Sequence, residues 1–321
     1  FKAEYGCKTD TRSAGVHPGQ VMTRLRPETE WPQGRILKLQ HCSEVLRSNP
    51  WGDPHERELS VYLPPGYEDA SDPYPVLWDL AAYTNSVPGH LNWKNQGENL
   101  PARLDRLIGT ARMDRVVVVF PDCYTSLGGN QYVNSSAVGR YADYLNDELV
   151  PLVSRQLNVI DHRDGRGVFG KSSGGFGALH LAMNHPDVWG AVASHAGDVG
   201  FEMVYLKEFP VASQVLTGFK GDYEAFMRGF WRKNRPSGRD YTTLMILAMA
   251  ASYDPDPETP GRIRLPFDRR TCKLDPERWQ RWLDFDPLNQ VVARYDALKS
   301  LNALYLEVGI YDQFHIQFGT R

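Results

Sequence analysis

The chain is poor in cysteine: Cys7, Cys42, Cys123 and Cys272 are scattered, and none forms a Cys-x-x-Cys pair. That excludes a disulfide framework and favours a cytoplasmic setting. No apolar run approaches the ~20 residues of a membrane-spanning helix, so the sequence reads as soluble, with no membrane partner. Neither sign of charge dominates, with 36 Lys and Arg against 39 Asp and Glu, a net charge of −3 and a pI near 6.3. Without a basic field a nucleic acid is not an expected partner, and a small molecule is. The chain opens at Phe1 rather than Met, with no basic stretch leading into an apolar one, and so reads as processed or trimmed. Asn134-Ser135-Ser136 is a glycosylation sequon, which carries no weight without a secretion signal. Internal repeats and low-complexity tracts are absent.

What is present is ordinary for a globular protein: 41% hydrophobic and 23% charged residues. A length of 321 residues suits one core with an insertion. Short β-branched and apolar runs recur at 35–39, 58–63, 74–80, 115–120, 167–169, 190–194 and 303–308, alternating with helical spacing. That is the signature of an α/β fold with a mostly parallel central sheet flanked by helices. The clearest helix is expected over 137–157, where Val138, Tyr141, Leu145, Leu149, Leu152 and Val153 form one stripe that Pro151 kinks or splits. The stretch 201–299 breaks the alternation with prolines, a helical run over 241–251, and the aromatics Phe230, Trp231, Trp279, Trp282 and Phe285. It reads as a cap inserted over the site, its tryptophans suggesting a partly closed aromatic pocket. The expected organisation is an N-terminal extension over 1–34, a core over 35–200 and 300–321, and the cap between.

Gly170-Lys171-Ser172-Ser173-Gly174 is a G-x-S-x-G turn with an apolar strand before it and a helix behind it, in which Phe176, Leu179 and Met183 share a stripe. A corner this sharp brings flanking side chains against neighbouring backbone, and glycine removes that cost. The helix start behind Ser172 offers free N–H groups to developing negative charge. The overlapping Gly165 to Ser172 also satisfies G-x-x-x-x-G-K-S, the P-loop of nucleotide-binding proteins. That reading needs a buried strand ending at Gly165, where the sequence is charged, and it would put Val168 and Phe169 inside the phosphate loop.

The chain resembles the esterase D and enterochelin-esterase-like branch of the α/β hydrolases, from about Arg35 to the C-terminus. The likeness rests on Val61-Tyr62-Leu63-Pro64-Pro65-Gly66-Tyr67, Tyr74-Pro75-Val76-Leu77, Phe120-Pro121-Asp122, the turn from Gly170 to Leu179, and Leu306 to Phe314. It implies a serine esterase that forms an acyl-enzyme on Ser172, with no cofactor. The N–H of Ser173 would serve the oxyanion, with a second donor from the loop after 74–80. There the family reads His-Gly and this chain reads Ala81-Ala82-Tyr83, so the donor is Tyr83 N–H or Ala82 N–H. Asp312 matches the triad acid, with Asp286 as the fallback. The family's histidine lies some tens of residues past the acid, so it is expected beyond Arg321; within the chain only His315 follows Asp312.

His195, Tyr132 and Asn134 are candidates for the substrate pocket, while Asp122 and Asp198, which end strands, are expected to hold loops. His180 and His185 do not share a helical face, and no metal site is expected. The partner is a small ester, and a homodimer is compatible with the sequence without being required by it. Acyl transfer, a non-catalytic binding protein of the same fold, and the P-loop reading are the alternatives.

Overall fold

The computed structural model describes residues 30–94 and 96–321, so Cys7 and most of the expected N-terminal extension lie outside the described residues. Seven strands form one sheet: β1 (Arg35–Cys42), β2 (Glu56–Leu63), β3 (Val76–Leu80), β4 (Val117–Phe120), β7 (Arg166–Lys171), β8 (Ala191–His195) and β9 (Ala303–Glu307), with β5 (Asn134–Ser135) and β6 (Gly139–Arg140) a separate ribbon. The order is β1-β2-β4-β3-β7-β8-β9. The first two pairings are antiparallel and the rest parallel, as the alternating pattern implies. All seven expected strands are present, and β4 is buried along its whole length.

One face of the sheet carries Trp78, Leu80, Val168 and Val192, buried beneath the helix Ser173–Asn184. On the other face the helix Leu100–Gly109 covers Tyr62, Val118 and Phe120. The expected helix over 137–157 begins only at Tyr141, because residues 134–140 form the ribbon, where Gly139 takes φ 132°. It then widens into a π turn over Tyr144–Leu149, with Val150 N–H reaching Leu145 O. Pro151 has no N–H to donate, and the wide turn ahead of it accommodates that loss.

The insertion is helical, with starts capped by Asp222, by a Ser237–Asp240 capping box and by Asp275. Its aromatic residues form a packed seam: Phe209 stacks on Phe267 and meets Trp279 and Trp282 edge-on, and Tyr253 joins them to Phe201 and to Phe176 of the body. The fully buried Asp254 is held by Arg264, Arg278 and Arg281. This corrects the expectation of an aromatic pocket: Trp279 and Trp282 are buried in the seam, and Trp231 lies at the surface, bonded to Ser126 O. The last expected cap residues belong to the body, since the helices Pro287–Gln290 and Tyr295–Lys299 pack on Ser173–Asn184. Among the described residues, no helix is long and apolar enough to cross a membrane.

Candidate active site

β7 runs straight into Ser172, whose backbone sits at φ 55°, ψ −123°, and the helix begins at Ser173. A non-glycine residue there is strained, and the packing around it maintains the strain. A Cβ on Gly174 would lie 1.9 Å from Leu80 O, and one on Gly170 would lie 2.6 Å from the same oxygen. Bare backbone is what allows β3, β7 and the helix to meet there. Ser172 N–H donates to His195 O at 3.0 Å, prolonging the β7 to β8 ladder by one rung. Residues Arg166–Lys171 are thus a paired strand with their N–H groups engaged in ladders, which excludes the phosphate-cradle reading.

Ser172 is half-buried and lines a cleft of about 590 Å³ with Lys171, Ala196, Tyr311, Asp312 and Phe314. As the first helical residue, Ser173 has an N–H without an intrahelical acceptor. Its side chain accepts from Gln131 Nε2 at 2.6 Å, and Gln131 Oε1 accepts from Tyr253 OH at 3.0 Å. The loop Ala81-Ala82-Tyr83 is pinned on both sides. Tyr132 OH donates to Ala81 O at 2.6 Å, Tyr83 OH to Leu127 O at 2.8 Å, and Thr84 N–H to Gly128 O at 2.8 Å.

Asp312 lines the same cleft, its Oδ1 accepting the N–H groups of Phe314 at 2.9 Å and Ile316 at 3.4 Å. Asp286 is buried and occupied with the N–H groups of Gly200, Phe201 and Leu288. Three sequence candidates are corrected. His315 is exposed, meets Phe318 at a tilt and is missing from the cleft that Phe314 and Ile316 line, because its left-handed backbone at φ 65° turns it outward. Asn134 is exposed in β5 and exchanges hydrogen bonds with Asp143, away from the cleft lining. Tyr132 is buried and supports Ala81 instead of facing a substrate.

His195 gives the site its carbonyl. Its ring pairs with Glu307 at 2.7 Å and lines a second cavity of about 700 Å³ with Asp79, His90 and Lys171. The insertion contributes no residue to the lining of either cavity. Asp122 behaves as expected of a loop holder, accepting from Tyr124 N–H and Arg57. Among the described residues, Cys42, His55 and Glu56 lie close enough together for a cation, at the surface of the β1–β2 pair, with β4 and β3 between that pair and β7.

Sequence reasoning missed the role of Asp198. This buried carboxyl accepts from Ser172 Oγ at 3.4 Å and from Tyr205 OH at 2.8 Å, and burial pushes it up to about 6. Its place just past the carboxyl end of β8, where open α/β sheets gather their sites, was the available signal.

The Esterase family model, described as "Putative esterase", matches residues 54–317. The chain belongs to that family. A Bacillus subtilis (strain 168) relative, YbbA, bearing the description "uncharacterized protein", is 25% identical over 155 residues, which are 46% of this chain and 58% of that one. The chain thus spans less than two thirds of that relative's length. Among solved structures, the fluorophosphonate-binding serine hydrolase FphF of Staphylococcus aureus superposes with a TM-score of 0.52 at 13% identity, over 89% of this chain and 84% of that one. An S-formylglutathione hydrolase from Agrobacterium tumefaciens gives 0.43 at 18% identity, over 90% and 91%. The esterase family and the α/β-hydrolase fold therefore agree with the elbow at Ser172.

Proposed function

We propose that the protein cleaves a small carboxylic ester through an acyl-enzyme on Ser172. The observation that carries this is the strained residue at the β7 corner, with its hydroxyl at a cleft and a free helix-start N–H beside it. Ser172 Oγ gives its proton to the base and attacks the acyl carbon, while Ser173 N–H with Tyr83 or Ala82 N–H holds the oxyanion; the ester C–O bond then breaks and the alcohol leaves with that proton. Water, deprotonated by the same base, attacks the acyl-enzyme and breaks its bond to Ser172, which takes the proton back as the acid leaves. The base in this proposal is a histidine oriented by Asp312, supported by the cleft that Ser172 and Asp312 share. Residence in the cytoplasm belongs to the same proposal, on the free thiols of Cys42, Cys123 and Cys272.

A fluorophosphonate probe tests the nucleophile. It should label the chain on Ser172, and Ser172→Ala should lose the label and at least ~10⁴ in nitrophenyl-ester turnover. Labelling at another residue would move the nucleophile away from Ser172, and no labelling would leave a binding protein of this fold.

A further inference from the structure

We infer that Asp198 is the positioning carboxylate of the nucleophile: it fixes the Ser172 hydroxyl and, when ionised, draws its hydrogen. The inference rests on Ser172 being the nucleophile.

The backbone is built to bring the two together. β8 ends at His195, and Ala196 follows at φ 46°, a left-handed conformation that strains a non-glycine residue. Gly197 then lies directly on the first turn of the helix. A Cβ on it would stand 2.7 Å from the carbonyl carbon of Gly175 and 2.8 Å from Phe176 N, and a Cβ on Gly175 would stand 2.8 Å from Gly197 Cα. Two glycines facing each other permit that contact. It sets Asp198 Oδ1 at 3.4 Å from Ser172 Oγ.

The other carboxylate oxygen is aimed from the insertion. Tyr205 donates to Oδ2 at 2.8 Å, and the helix bearing Tyr205 is anchored where Asp286 accepts Gly200 N–H at 3.0 Å and Phe201 N–H at 2.7 Å. A buried aspartate that merely held a turn would accept backbone N–H groups, as Asp286 does. Both bonds to Asp198 come from side-chain hydroxyls, and one of them is the nucleophile.

The groups facing Asp198 are Ser172, Tyr205 and Tyr253, with the carboxylates of Asp312 and Asp286 nearby. Burial, then those two carboxylates, raise it to about 6 against the pull of the two hydroxyls. Below that pH the carboxyl is protonated and no longer draws the serine hydrogen; above it the carboxylate does.

The test is the rate of fluorophosphonate labelling of the full chain against pH, for wild type, Asp198→Asn and Tyr205→Phe. Wild type should speed up as pH rises through about 6. Asp198→Asn keeps the shape without the charge, so it should lose this limb and label ~10-fold more slowly above it. Tyr205→Phe removes a donor to the charged form and should move the limb to higher pH. Overturning results are a limb that survives in Asp198→Asn or stays in place in Tyr205→Phe; if one variant fails to fold, the other still decides. Wild type that takes no label overturns the nucleophile assignment itself, a different outcome, and this inference with it.

Discussion

The turn after β8 and the turn after β9 each carry an aspartate to the neighbourhood of one serine, on adjacent parallel strands, yet they are built differently. The first is deep: Asp198 is 5% exposed and bonded to hydroxyls. The second lies at the sheet edge, where Leu304, Tyr305 and Leu306 are 47%, 51% and 44% exposed, and Asp312 is occupied with its own turn. A parallel strand ordinarily has both faces covered. The contrast teaches that the nucleophile half of the site is set by close packing within β3, β7, β8 and one helix, and owes little to β9.

A pair of glycine substitutions breaks or sharpens that contrast. Gly174→Ala places its Cβ 1.9 Å from Leu80 O, a backbone atom that cannot swing aside. The expected cost is at least ~3 kcal/mol, with loss of Ser172 labelling. Gly309→Ala, at the end of β9, meets nothing within 4 Å and should stay within ~0.5 kcal/mol of wild type. Urea unfolding of both variants measures the difference, and equal costs would mean that the two turns are packed alike.

The same distinction decides what could be read from sequence. The seven strands were legible because short β-branched and apolar runs alternate with helical spacing, and the elbow because its glycines, serine and helix are contiguous. Asp198 was legible only as a strand-end residue, since its contact with Ser172 depends on Gly175 and Gly197 meeting across 22 positions of chain. Trp279 and Trp282 show the limit of composition, which says that aromatics are present but not whether they face a cleft or each other. Asn134 and His315 failed for a related reason: adjacency to a motif does not fix the direction of a side chain, and ribbon pairing in one case and a left-handed backbone in the other turned them outward. Tyr132 came closer: expected to line the substrate pocket, it instead bonds Ala81 O directly in the loop after β3.

A smaller effect, opposite in sign to most substitutions of buried residues, follows from the depth of Asp198. Its carboxyl is raised from an ordinary 3.8 to about 6, so the folded state binds the proton more tightly than the unfolded one. The stabilising contribution is therefore fully present below about pH 3.8 and is lost as pH rises through about 6. Above that point wild type carries a buried charge that Asn does not. Asp198→Asn should then be more stable than wild type near neutrality by about 2 kcal/mol, the linkage penalty less part of the lost hydroxyl bonds. The advantage should vanish on acidification. Thermal unfolding of the two proteins across this range measures it, and an Asn variant that is less stable at neutral pH would mean that the carboxylate is held for its contribution to the fold and not for the serine beside it.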